Sequence, residues 1–160
     1  MAEVAKKTLY LIDDEPAILK MEAMILGKSK KYDIREFTTV DAAFAHMGQD
    51  LSHDLPDVIV TDRNTKSSFN GDNLTQAVIE KNKILRSEQK NGIALVMVTG
   101  DGTEATVNFA KILKGDKLMS PRNAPMRLIQ KPPPKGVSIF QLLPTMVEKA
   151  LENVQVGHSR

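Results

Sequence analysis

Short apolar runs alternate along the chain with longer segments whose apolar residues recur at helical spacing. The runs are Leu9–Ile12, Val58–Val60, Ile93–Val98 and Leu128–Ile129, with a weaker one at Ile34–Phe37. They lack the strict polar alternation of a half-exposed strand and predict strands buried on both faces. Between the first two runs, Pro16 suits the first turn of a helix, where a missing N–H costs little. Ile18, Met21 and Ile25 then fall on one predicted inward face. Leu74, Ala77, Val78 and Leu85 form a second such face. Ile139, Leu142, Leu143, Met146, Val147 and Ala150 form the cleanest stripe, and Pro144 inside it predicts a kink or a late helix start. Residues 39–50 and 103–114 supply two more helices. Met21, Met24 and Met146 occupy apolar helical positions and are expected to fill the core.

Strand followed by helix, five times over, predicts an α/β fold: a parallel sheet with helices on both faces and right-handed crossovers. No internal repeat or low-complexity linker divides the chain. It reads as one domain over residues 1–160, with a core of about 7–153 and a short tail, 154–160. No appended DNA-binding domain is expected.

Composition narrows the function classes. The chain has 160 residues, of which 41% are hydrophobic and 26% charged, the profile of a soluble globular domain. It has no cysteine, which excludes disulfides, thiolate catalysis and cysteine zinc sites. Asp13 and Asp14 interrupt the first apolar run, so no signal peptide is read there. No stretch approaches the roughly eighteen apolar residues of a membrane span, and a cytoplasmic protein without a membrane partner is expected. A net charge of +2 is too small to argue for nucleic acid. His46, His53 and His158 lack ligand spacing and read as surface residues. Lys111, Lys114, Lys117, Arg122 and Arg127 read as a solvated basic segment.

The chemistry stands at the strand ends. In an open parallel sheet, ligands bind beyond the carboxyl ends of the strands, where the strand order reverses. The first run ends at Asp13 and Asp14, the third at Asp62, the fourth at Thr99 and the fifth at Lys131. Carboxylates gathered at one mouth repel and favour a cation. Oxygen-only donors suit Mg²⁺, which keeps several waters and takes one or two carboxylates. A lysine and a threonine hydroxyl complete a set able to neutralise a phosphoryl group passing onto a carboxylate. An aspartate can serve as that nucleophile.

Leu11-Ile12-Asp13-Asp14-Glu15-Pro16, Asp57-Val58-Ile59-Val60-Thr61-Asp62, Val98-Thr99-Gly100 and Gln130-Lys131-Pro132 resemble the signature blocks of two-component response-regulator receiver domains. The resemblance covers roughly Lys7 to Asn153. It implies a doubly wound, flavodoxin-like five-stranded parallel sheet of order 2-1-3-4-5. It also implies Asp62 as phosphoacceptor, and Asp13, Asp14, Asp62 and the backbone carbonyl of Asn64 as Mg²⁺ ligands. Thr99 and Lys131 would be the phosphate-contacting hydroxyl and ammonium, and Lys131–Pro132 a cis peptide. The implied donor is a histidine kinase or histidine phosphotransfer protein, and the output is contact with a downstream protein.

Three features depart from that family. Leu128 stands where many receivers carry an aromatic switch residue. The stretch from Thr99 to Lys131 is about ten residues longer than usual, unusual for a compact connection. The loop Arg63–Gly71 places its glycine one residue later than usual. These departures keep open a receiver-like binding module that works without phosphorylation. A haloacid-dehalogenase-like phosphohydrolase is disfavoured, because that family needs an Asp two residues after its nucleophile. Asp62 is followed by Asn64 in that position, and Asp13 by Glu15.

Overall fold

A computed structural model describes residues 6–47, 55–62, 71–99, 126–130 and 139–154. In chain order the elements are β1 (Lys7–Ile12), α1 (Pro16–Gly27), β2 (Tyr32–Phe37), α2 (Val40–Met47), β3 (Val58–Asp62), α3 (Gly71–Ser87), β4 (Ala94–Thr99), β5 (Met126–Gln130) and α4 (Ile139–Asn153). The helix expected over 103–114 lies outside the described residues, as does the basic segment up to its last residue, Arg127, which is in β5.

The strands form one parallel sheet in the order β2-β1-β3-β4-β5, the order the resemblance implies. Each strand points alternate residues at opposite faces, and both faces are covered. Tyr10, Ile12, Ile59 and Leu95 meet α2 and α3 in one core, with Val40, Ala43, Met47, Leu74, Val78, Ile79 and Leu85. Leu9, Leu11, Val58, Val60, Ala94 and Val96 meet α1 and α4 in the other, with Leu19, Leu26, Leu143, Val147, Ala150 and Leu151. Full burial of one such side chain is worth about 1.5–3 kcal/mol. This two-sided burial explains why β1, β3 and β4 read as nearly continuous apolar stretches. Contrary to expectation, β2, at the sheet edge, is not buried on both faces and exposes Asp33, Arg35 and Glu36.

Helix α1 corrects the expected inward face. Its buried residues are Leu19, Glu22 and Leu26, at i, i+3 and i+7. Ile18 and Ile25 are only partly buried, and Met21 and Met24 are 42% and 64% exposed, so these two methionines fill no core. Counting apolar residues misplaced the stripe, because buried Glu22 takes a core-facing position and methionines take solvent-facing ones. Met146 does pack against the core. Helix α4 starts at Ile139, well before Pro144, so the late start is not observed.

Local chemistry fixes the ends of these elements. The Thr39 hydroxyl accepts a hydrogen bond from the Ala42 N–H at 3.1 Å and caps α2. Helix α3 closes in a Schellman arrangement: Gln89 N–H donates to Arg86 C=O at 3.0 Å and Lys90 N–H to Leu85 C=O at 2.8 Å. Gln89 holds the left-handed φ of 58° that this motif requires. At the amino-terminal end of the sheet, the Asp57 carboxylate accepts from Thr8 N–H at 2.7 Å. The Asp57 backbone also pairs with Thr8 (N–H to C=O, 2.9 Å) and Ala94 (C=O from N–H, 3.0 Å), tying β3 to both neighbours.

Buried Asn82 on α3 extends this tie to β4. Its Nδ2 donates to Ile93 C=O at 3.0 Å, and its Oδ1 accepts from Ile93 N–H at 2.7 Å. One side chain thus satisfies both backbone groups of a buried residue. The adjacent Gly92 leaves room for it, since a Cβ there would come within 3.0 Å of the carboxamide. Asn82→Leu strands two buried polar groups and is expected to lower unfolding free energy by about 2–4 kcal/mol in urea titrations.

Outside the core, Lys31 Nζ bridges to Glu148 of α4 at 2.8 Å, both side chains being well exposed. This hydrogen bond and the Glu148 charge raise the Lys31 pKa. Burial, and next the Glu148 charge, raise that of Tyr32. Both groups hold their protons more tightly when folded. Their contribution is therefore complete below the ordinary lysine and tyrosine values and is lost as pH climbs through the folded ones. Stability is expected to fall above about pH 10, and Tyr32→Phe with Glu148→Gln to flatten that fall in melts across the alkaline range.

Candidate functional site

Asp13 directly follows β1, and its N–H donates to Phe37 C=O of β2 at 3.1 Å. The side chain is 4% exposed. Its Oδ1 accepts a hydrogen bond from Glu15 N–H, two residues on, at 2.9 Å. This Asx-type turn converts strand into helix just before Pro16 and gives the carboxylate a fixed orientation. Asp14 is half-buried beside it.

The sheet register places the other residues. Ile12 pairs with Thr61, Thr61 with Met97, and Met97 with Leu128. One step further, Asp62 pairs with Val98, and Val98 with Ile129. Asp13 follows Ile12 as Asp62 follows Thr61, so the two aspartates stand side by side at the carboxyl ends of adjacent strands. Strands that pair lie about 4.8 Å apart. Thr99 ends β4, one residue beyond Val98, and pairs with Gln130, the last residue of β5. Lys131 follows Gln130 directly but, like Asn64, lies outside the described residues. So do the side chains of Asp62, Thr99 and Leu128. Among the described residues no group of three or more acidic or histidine side chains forms a metal site. The convergence of Asp13, Asp62 and Thr99 is therefore a property of the backbone register.

The rim also lies at the topological switch. The chain leaves β1 for β2 on one side, while β3 lies on the other, which opens a crevice above β1 and β3. Asp13 and Asp62 stand on either side of it. The donors fit a hard divalent cation: Asp13 and Asp14 bring oxygens only, and one Asp13 oxygen is already committed to the Glu15 amide.

One element of this region was not legible from spacing. His46 is half-buried, not a free surface residue as expected. Its ring lies 5.7 Å from Tyr10 and 5.8 Å from Phe37, and Nε2 is 2.8 Å from Arg35 Nη1. Arginine can only donate, so Nε2 accepts and the ring proton sits on Nδ1. The cluster packs β2 against α2, and Phe37 supplies the carbonyl that holds the Asp13 backbone. Strand parity alone signals part of it, because Tyr10 lies on the α2 side. His53 and His158 lie outside the described residues.

No family model and no curated protein matches this chain. Solved structures do. The response regulator DrrB of Thermotoga maritima, an OmpR/PhoB homologue, superimposes with a TM-score of 0.63 at 16% identity, over 96% of this chain and 56% of DrrB. The BeF3-activated DrrB receiver domain superimposes with a TM-score of 0.60 at 15% identity, over 92% of this chain and 99% of that domain. A response-regulator receiver domain from Clostridium thermocellum gives 0.58 at 19% identity, over 91% and 94%.

This chain has the receiver fold. Such likeness establishes architecture, and in this architecture Asp13 and Asp14 directly follow β1. No described helix is long and apolar enough to cross a membrane.

The Asp13 turn separates structure from charge. Asp13→Ala removes the acceptor for Glu15 N–H and is expected to lower stability by about 1 kcal/mol. Asp13→Asn keeps an acceptor for Glu15 N–H, so its urea midpoint is expected to lie closer to that of the parent than the midpoint of Asp13→Ala does.

Proposed function

We propose that this chain is a phosphoacceptor response regulator in which Asp62 takes a phosphoryl group from a histidine kinase or a histidine phosphotransfer protein. The observation that carries this reading is the register that sets Asp62 beside buried Asp13 at the β1/β3 switch point. The receiver fold supports it.

Asp13, Asp14, Asp62 and the backbone carbonyl of Asn64 would hold Mg²⁺, which supplies charge neutralisation for phosphoryl oxygens. In the transfer, an Asp62 carboxylate oxygen forms a bond to phosphorus as the bond from phosphorus to the donor histidine nitrogen breaks. Thr99 donates its hydroxyl to a phosphoryl oxygen, and Lys131 brings a positive charge to the same group. Such a step needs positioning and electrostatics more than covalent help. The chain catalyses only its own phosphorylation and the later hydrolysis of the aspartyl phosphate.

Output follows if the phosphorylated state packs differently and a partner prefers it. The helix expected over 103–114, strand β5 and helix α4 are the elements assigned to that change. A cytoplasmic location goes with this role. Leu128 is one sequence feature that favours a second reading, a binding module that never takes a phosphoryl group, because a leucine has neither ring nor hydroxyl to report the phosphate.

One experiment separates the two. Incubation with Mg²⁺ and acetyl phosphate is expected to add the mass of one phosphoryl group, with acetate as the leaving group. The adduct is expected to vanish in Asp62→Ala and on chelation with EDTA. An unchanged mass in the parent protein, with Mg²⁺ present and the fold intact by circular dichroism, establishes the second reading instead.

A further inference from the structure

The tertiary structure sorts charge in a way that a net value of +2 conceals. Lys6 and Lys7 enter β1, while Lys28, Lys30 and Lys31 belong to the turn between α1 and β2. Lys7 N–H donates to Lys31 C=O at 3.1 Å, and Lys7 pairs with Tyr32 in the sheet, so the two groups meet at the amino-terminal end of the sheet. Lys6, Lys28, Lys30 and Lys31 are exposed, and Lys7 is half-buried.

The turn that carries them is closed. Lys30 N–H donates to Gly27 C=O at 3.1 Å, and the Ser29 hydroxyl accepts from Lys31 N–H and donates to Leu26 C=O, both at 3.4 Å. Lys30 holds a left-handed φ of 59°, where an L residue is costly. Of the five lysines, only Lys31 has a carboxylate partner among the described residues, Glu148. Asp33 lies one residue out of phase with Tyr32, hence on the other face of the sheet, while the Asp57 carboxylate is taken up by Thr8 N–H at 2.7 Å. Met24, 64% exposed, stands one helical turn before Lys28 on the same face of α1.

We propose that this end of the sheet is a docking surface for an anionic phospholipid bilayer. The patch is lysine throughout. Arginine is the residue of forked, bidentate phosphate recognition, whereas lysine ammoniums act as mobile point charges suited to a diffuse field of headgroups. Among the described residues no exposed aromatic ring accompanies the patch to stack on a base. The exposed methionine offers a short apolar contact at the interface. Docked this way, the aspartate rim at the opposite end of the strands faces away from the membrane and stays open to soluble partners. The proposal does not depend on phosphorylation of Asp62.

The test is co-sedimentation of the full chain with vesicles of phosphatidylcholine, with and without phosphatidylglycerol, at low and high salt. Binding is expected only with phosphatidylglycerol and only at low salt, where screening is weak. Lys28→Gln with Lys30→Asn is expected to lower partitioning about 25-fold, at roughly fivefold per lysine; asparagine tolerates the left-handed φ. Lys81→Gln with Lys83→Gln, which removes the same charge from α3 on the other face of the sheet, is expected to change it far less. Absence of binding to phosphatidylglycerol vesicles at low salt, or an equal loss in the control pair, overturns the proposal. Tighter binding to a short DNA duplex or to polyglutamate in the same buffer also overturns it, and reassigns the surface to a nucleic acid or an acidic protein.

Discussion

The structure depends on one constraint: a parallel sheet must be covered on both faces. Parallel strands need crossover connections, and here those crossovers carry helices that bury the sheet from either side. The middle of β1, β3 and β4 must therefore be apolar at every position, which leaves polar chemistry only where the strands end. Asp13, Asp62 and Thr99 stand at those ends because the buried middles of β1, β3 and β4 leave no room for a charge or hydroxyl without a dedicated partner.

The two ends of the sheet are used differently. At the carboxyl end, chain reversal between β1 and β3 opens a crevice and sets acidic residues beside it. At the amino end, the backbone is tied closed: Asp57 clamps β1, β3 and β4 together, and Asn82 ties α3 to the start of β4. Gly92 N–H adds a bond of 2.9 Å to Val154 C=O at the end of α4, joining the C-terminal helix to the same knot. A firm base holds the register of the strands and with it the spacing of the residues at the rim.

The rim positions of Asp13, Asp62 and Thr99 were legible in sequence because these residues mark boundaries. Each chemical residue follows an apolar run, and a strand's end is easy to see when the run is uniformly apolar. The inward face of α1 was not legible. Apolar count favoured Met21 and Ile25, whereas packing chose Leu19, Glu22 and Leu26, since the helix is rotated by what α4 and the sheet offer it. His46 was illegible for a related reason. Its neighbours Tyr10, Phe37 and Arg35 come from two other elements, and nothing local signals that they meet.

The sequence by itself determined the element order, the α/β class and the polar residues that end the apolar strands, because hydrophobic periodicity and strand termini are local properties. Only the tertiary structure decided which strand lies beside which, and hence that Asp13 neighbours Asp62 across a register fixed by backbone hydrogen bonds. It also decided that lysines more than twenty positions apart in the chain share one end of the sheet. Pairing and charge segregation are non-local: they follow from covering both faces of one sheet at once, a condition no single segment can express.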